Sequence, residues 1–173
     1  EFAAGESEKE ITIQVSNEMP FFKSYPLQLE IPAEYVNPYI EQTNHPVLAL
    51  NVSKEDYSPY AVGTYYSWWY EETWEQVLEY SEYLGTYRFA DLWVEGVDVE
   101  FSWDGSAKVT FPSSTLVTGI VHPSYGAVSA KVLAQTQYVA AQNTFYLSFQ
   151  WTVSAGSFGS GYDELGAELI NVS

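Results

Sequence analysis

The segment Phe145-Tyr146-Leu147-Ser148-Phe149-Gln150-Trp151-Thr152-Val153 alternates apolar and polar side chains along its whole length. Successive side chains of a β-strand point to opposite faces of the sheet. The pattern therefore predicts a strand whose odd-numbered residues lie in the core and whose even-numbered residues face solvent.

The same two-residue period recurs through much of the chain. It appears in Ile11–Val15, Leu27–Ile31 and Val97–Trp103. Val47–Val52 is a short apolar run, and it and Ala127–Leu133 are further predicted strands. The turn over Asp104 to Ala107 contains Asp-Gly and predicts a hairpin that joins Trp103 to Val109. Many short strands separated by turns are typical of sandwiches and barrels. We expect an all-β fold, a sandwich of mainly antiparallel strands.

Two segments are rich in aromatic side chains and do not show the simple alternation. Tyr60 to Tyr70 carries bulky rings at consecutive positions and predicts a strand with large groups on both faces. The segment from Thr73 to Leu84 fits two structures. Thr73-Trp74-Glu75-Gln76 matches a helix capping box, and the apolar spacing beyond it suits a helix that ends at Gly85. A strand over Gln76 to Ser81 is the alternative, and the sequence leaves both open.

Composition excludes several classes of function. The 173 residues hold 6 basic and 23 acidic side chains, for a net charge of −17, and no cysteine. Six cations cannot neutralise a run of phosphates, so nucleic acid is not an expected partner. Disulfides and thiolate metal sites are impossible without cysteine. No apolar run approaches the ~20 residues of a membrane-spanning helix. The sequence indicates no cofactor.

A polar, turn-rich stretch from Ser53 to Pro59 separates two regions of different composition. Aromatic residues become much denser after it. We therefore predict two modules, residues 1–53 and residues 54–173.

The N-terminal run Phe2-Ala3-Ala4-Gly5-Glu6-Ser7-Glu8-Lys9-Glu10-Ile11-Thr12-Ile13-Gln14-Val15 resembles the late strands of Calx-β-like and related Ig-like modules. The resemblance implies a turn at Gly5 and then a strand that buries Ile11, Ile13 and Val15. The earlier strands of such a module are missing, which makes this part an Ig-like remnant. Part of that family's calcium site lies in the missing strands, so no metal site is carried over.

The remainder resembles the C-terminal region of surface lipoproteins of gut Bacteroidetes. The residues that carry the resemblance are Gly63-Thr64-Tyr65-Tyr66, Tyr87-Arg88-Phe89, Gly96 to Trp103, His122-Pro123-Ser124-Tyr125-Gly126 and Val153 to Gly159. The resemblance implies a secreted or outer-membrane surface protein, with any lipid anchor outside this chain. It implies no catalytic residue.

Aromatic side chains are the most informative candidates for a binding site. Flat Trp and Tyr rings suit the apolar C–H faces of sugars, and flanking polar groups suit the hydroxyls. Trp68 and Trp69 cannot both face inward on one strand. We therefore predict a non-catalytic module that binds a neutral glycan through exposed rings. The candidate residues are Tyr66, Trp68, Trp69 and Trp74.

Three other hypotheses remain open. The chain could be a spacer or assembly module whose aromatics pack against a neighbouring domain of the same protein. A glycoside hydrolase would need two acids across a cleft. The candidates are Glu71 with Glu72, Glu75, Asp98 with Glu100, and Asp163 with Glu164. Asp163 and Glu164 could also supply oxygens to a calcium ion beside the loop from Gly156 to Gly161.

The remaining candidate residues have structural interpretations. His45 and His122 each precede a proline, which indicates turn or extended positions rather than a catalytic base. Arg88 is the one arginine among 23 acids. It predicts an ion pair inside a strand, with a carboxylate such as Asp91 or Glu100 as partner.

Overall fold

The structure is a computed structural model that describes residues 12–30 and 47–169, with side chains described up to residue 166. It divides into two compact units, Glu1–Glu55 and Asp56–Ser173. The described residues form strands and no helix, which confirms the all-β prediction. The predicted features at Phe2–Ile11, Ile31 and His45 lie outside the described residues.

The first unit contains a two-stranded antiparallel sheet of β1 (Tyr25–Glu30) and β2 (Val47–Val52). The predicted strand at its N-terminal side is wrong for the described residues 12–16, which form no strand. Ile13 and Val15 are 43% and 40% exposed there. Alternation alone does not make a strand, because backbone N–H and C=O groups also need a partner strand.

The second unit is one antiparallel sheet of ten strands. These are β3 (Ser58–Ser67), β4 (Glu72–Ser81), β5 (Thr86–Phe89), β6 (Val99–Trp103), β7 (Val109–Thr110), β8 (Thr115–His122), β9 (Gly126–Val132), β10 (Gln137–Val139), β11 (Thr144–Val153) and β12 (Gly156–Leu169). Their order is β7-β6-β5-β4-β3-β12-β11-β9-β8, and β10 also pairs with β11.

The sheet curls until its two halves face each other across one core. Phe101 of β6 packs against Phe145 of β11, with ring centroids 5.7 Å apart. The backbone N–H of Tyr138 on β10 donates to the carbonyl of Ala107, 2.9 Å away, just before β7. The arrangement is sandwich-like, as predicted, but a single curled sheet supplies both layers.

Strand β11 has the predicted inward face. Phe145, Leu147, Phe149 and Trp151 are at most 1% exposed. On the other face Ser148 is also buried, because the segment Leu133–Thr136 covers it. Leu133 N–H donates to the Ser148 carbonyl, and Ser148 N–H donates to Thr136 Oγ1, each at 2.9 Å.

The two aromatic segments have definite structures. Thr73 to Ser81 lies within strand β4, so the helical alternative is wrong. The segment pairs along its length with β3, and this pairing outweighs the local preference for a helix that the capping box indicates. Strand β3 ends at Ser67, and Trp68 to Glu71 form the turn to β4. The predicted hairpin is confirmed, with Trp103 paired to Val109 and Gly105 at φ +87°.

Candidate functional site

Three hairpin turns meet at one end of the sheet. They are the β3–β4 turn (Trp68–Glu71), the β8–β9 turn (Pro123–Tyr125) and the β11–β12 turn (Ser154–Ala155). Strands β3, β12, β11, β9 and β8 are successive antiparallel neighbours, and their registers place all three turns at the same end. Binding residues commonly lie on such loops over a rigid scaffold.

A β-bulge places Phe158 in this loop cluster. Trp151 pairs with Gly159 and Thr152 pairs with Ser157, so Phe158 has no partner in the β11–β12 register. A bulge bends its strand and redirects the side chain of the extra residue. The Phe158 ring thereby reaches both neighbouring hairpin turns.

Four rings form what we term the tip cluster: Trp69, His122, Tyr125 and Phe158. Phe158 lies 5.2 Å from Trp69 and 5.1 Å from His122, measured between ring centroids. Tyr125 lies 4.9 Å from His122 and 5.7 Å from Phe158. Tyr125 is 52% exposed and Phe158 is 37% exposed. The cluster therefore offers two aromatic surfaces to solvent on a packed support.

The support of the cluster is fixed by specific contacts. Trp69 packs on Trp151, a fully buried core residue, at 5.2 Å between ring centroids. His122 Nδ1 accepts a hydrogen bond of 3.1 Å from the backbone N–H of Ser124, which orients the imidazole within the β8–β9 turn. The exposed rings are thus connected to the core through Trp69 and held at the turn through His122.

A cavity of about 280 Å³ lies beside the tip cluster. It is lined by Tyr125, Val153, Ala155, Gly156, Ser157 and Phe158. None of these residues carries a charge at neutral pH. Apolar rings with a few hydroxyl and backbone groups are the usual composition of a small-molecule site.

The four candidate residues from the sequence lie in different places. Trp69 belongs to the tip cluster, where it supports Phe158. Tyr66 follows the buried Tyr65 and so faces the outer side of the sheet. All four side chains are half-buried.

Trp68 and Trp74 lie on the inner side of the sheet. Trp68 covers Gly159 and Gly161 of β12. Trp74 packs on Tyr65 at 5.1 Å and donates its Nε1–H to Gln76 Oε1 at 3.0 Å. The structure therefore does not bring the four residues together as one exposed surface.

Comparison with protein families, curated proteins and solved structures finds no match. The part of the chain that the structure describes contains no helix long and apolar enough to cross a membrane.

Asp163 lies at the centre of a buried hydrogen-bond network. Its carboxylate accepts from the Tyr65 hydroxyl at 2.7 Å, the Trp68 backbone N–H at 2.9 Å and Trp93 Nε1–H at 3.1 Å. The side chain is 0% exposed. Burial raises the pKa of Asp163, and this outweighs the lowering by the three donors. The same burial raises the pKa of Tyr65 well above its usual value.

This network bears on the calcium and hydrolase hypotheses. The Asp163 oxygens receive three N–H and O–H donors, the reverse of what a cation site requires. Among the described residues no three His, Asp or Glu side chains are arranged so that they could hold a metal ion. Asp163 also has the raised pKa expected of a general acid, but it is fully buried and cannot contact a substrate.

Arg88 forms the ion pair with a carboxylate that the sequence predicts, and the carboxylates that it contacts include Glu79 and Asp98. Its Nε donates to Glu79 at 2.7 Å and its Nη1 donates to Asp98 at 3.0 Å. Its guanidinium lies 4.0 Å from the ring centre of Tyr57. Asp98 also accepts the Asp91 backbone N–H, so both of its oxygens have donors. These contacts give Asp98 a structural role.

Proposed function

We propose that this protein is a non-catalytic surface module that binds a neutral carbohydrate at the tip cluster. The observation that carries the proposal is the solvent-exposed ring of Tyr125, 52% exposed beside a cavity built from two hairpin turns. The ring is held in place by its contacts with His122 and Phe158. Exposed apolar surface of this kind commonly marks an interaction site.

The chemistry of the cavity favours a sugar. The Phe158 and Tyr125 rings provide apolar surface for the C–H face of a pyranose. Ser157, the Tyr125 hydroxyl and the backbone of the β11–β12 turn provide hydrogen-bonding groups for its hydroxyls. This combination of flat apolar surface and nearby polar groups matches the amphipathic shape of a sugar ring.

The charge of the protein favours a neutral ligand. A net charge of −17 repels anionic ligands over several ångströms of solvent. The residues around the cavity add no cation that would compensate. A neutral glycan meets no such barrier.

A binding role, without catalysis, fits the residues around the cavity. Most glycoside hydrolases use two carboxyl groups across the scissile bond, and the cavity lining contains no carboxyl group. The resemblance to surface lipoproteins supports a secreted or outer-membrane location, where such a module would meet extracellular glycans.

A glycan array tests the proposal with wild-type protein and Tyr125→Ala. Loss of one stacked ring should weaken binding on the order of tenfold or more. Tyr83→Ala is the matched control, because Tyr83 is 64% exposed but lies on the β4–β5 turn. Equal binding by wild type and Tyr125→Ala, or no binding of any glycan by wild type, would contradict the proposal.

A further inference from the structure

The cavity beside the tip cluster lies next to the end of the β9–β11 pairing. Strands β9 and β11 pair as far as Ser129 and Thr152, and beyond that pair each strand continues into its own hairpin. Paired strands lie only ~4.8 Å apart, which leaves no room between them for a ligand. The cavity therefore lies where the pairing ends, and a ligand cannot extend between β9 and β11 below it.

One side of the cavity is closed. Phe158 packs against His122 at 5.1 Å and against Trp69 at 5.2 Å. Behind them Trp69 packs on Trp151, which has no exposed surface. This continuous series of rings leads into the core, so a polymer cannot pass through on that side.

The volume indicates how much of a ligand the cavity can surround. About 280 Å³ lies below the ~300–1,000 Å³ of sites that hold drug-sized ligands. The space suits one six-membered sugar ring with its hydroxyls. A second linked ring would extend beyond it.

We propose that the cavity takes the terminal ring of a neutral glycan, end-on, and does not bind the middle of a chain. This inference rests on the proposed function. The ring enters between the β8–β9 and β11–β12 turns and stacks against Phe158 and Tyr125. The rest of the glycan stays in solvent beyond the hairpin tips.

Calorimetric titration with sugars of increasing length tests the inference. The probes are the methyl glycosides of glucose, galactose, mannose and N-acetylglucosamine, and the corresponding oligosaccharides of two to six units. A terminal-ring site should bind one of the single rings, and lengthening that sugar should change Kd by less than about threefold. An affinity that rises about tenfold or more over the first four units would overturn the inference and leave the proposed function standing. Binding of no probe and no polysaccharide would overturn both.

Two tryptophan substitutions on one turn test the location. Ala155 lines the cavity, whereas its neighbour Ser154 does not, and both are exposed. Ala155→Trp should fill the cavity and abolish binding of the single ring, and Ser154→Trp should bind like wild type. The melting temperatures of both variants verify folding. Unchanged binding by a folded Ala155→Trp would overturn the inference.

Discussion

The indole of Trp68 occupies the space above Gly161 where any larger residue would place its Cβ atom. The β3–β4 turn can thus fold down onto β12 only because position 161 has no side chain. This contact also places the Trp68 backbone N–H within reach of Asp163. One glycine therefore supports both the turn that carries Trp69 and the buried network.

Gly161→Ala should destabilise the protein, because the added methyl group overlaps the Trp68 ring. Overpacking of this kind costs about 1–3 kcal/mol. Gly166→Ala on the same strand is the matched control, since its nearest neighbour would be Thr144 Oγ1 at 4.0 Å. Urea denaturation measures both free energies of unfolding. Equal values for the two variants would contradict this role of Gly161.

Asp163→Asn should also destabilise the fold at neutral pH. An amide has one acceptor oxygen in place of two, so at least one of the three donors loses its partner. A buried donor without a partner costs about 1–3 kcal/mol. Glu164→Gln, at the neighbouring half-buried position, should have a small effect by the same denaturation measurement.

The pH dependence of Asp163 has a definite sign. Its raised pKa means that the folded state holds the proton more tightly than the unfolded state does. The protonated Asp163 therefore makes its whole contribution to the free energy of unfolding below the pKa of the unfolded state, near 3.8. This contribution is lost as the pH rises through the higher pKa of the folded state.

The difference in free energy of unfolding between wild type and Asp163→Asn isolates this contribution, because the other acids titrate in both proteins. We expect the difference to be larger at acidic than at neutral pH. Urea denaturation across this range provides the measurement, and an opposite slope would show that the three hydrogen bonds outweigh burial.

Two buried tryptophans should respond differently to replacement by phenylalanine. Trp93 Nε1 donates to Asp163, whereas the buried Nε1 of Trp151 has no hydrogen-bond partner among the described residues. Both substitutions leave a cavity, but Trp93→Phe also removes a hydrogen bond to a carboxylate. Thermal unfolding should show Trp93→Phe as less stable than Trp151→Phe by about 1–3 kcal/mol. The reverse order would count against the network.

Arg88→Gln should destabilise the β4–β5–β6 region. It removes two ion pairs, to Glu79 and Asp98, and the stacking on Tyr57. Because these groups are partly buried, we expect a loss of about 1–3 kcal/mol. Lys131→Gln on the exposed side of β9 controls for the change in net charge. A thermal shift no larger than that of the control would show that the ion pairs contribute little.

The fold was predictable wherever the residues of a single strand or turn indicated its structure without reference to a partner strand. The alternation from Phe145 to Trp151 directly indicates the buried face of strand β11. Asp104-Gly105 indicates the β6–β7 hairpin through its turn-forming residues alone. Thr73 to Leu84 was ambiguous because its local propensity fits a helix, and only pairing with β3 decides the outcome. The local sequence of a segment does not indicate whether another strand will pair with it.

The candidate site was less predictable, because it depends on distant contacts. Trp68 and Trp69 were expected on a strand, but the turn begins at Trp68 and the alternation rule no longer applies there. Phe158 reaches the tip cluster through a bulge, for which the nearby glycines were the only signal. Asp163 was expected only as a catalytic acid or a calcium ligand. Its buried network was not predictable, since its donors lie 70 to 98 residues earlier in the chain.

Strand β12 comes last among the described strands, yet it lies in the middle of the sheet between β11 and β3. During synthesis on the ribosome, β3 to β11 emerge before β12. Only β12, which pairs with both β3 and β11, joins the two halves of the sheet. The unit should therefore acquire its native packing only after β12 has left the exit tunnel. Until then the unpaired sides of β3 and β11 remain open to pairing with other chains.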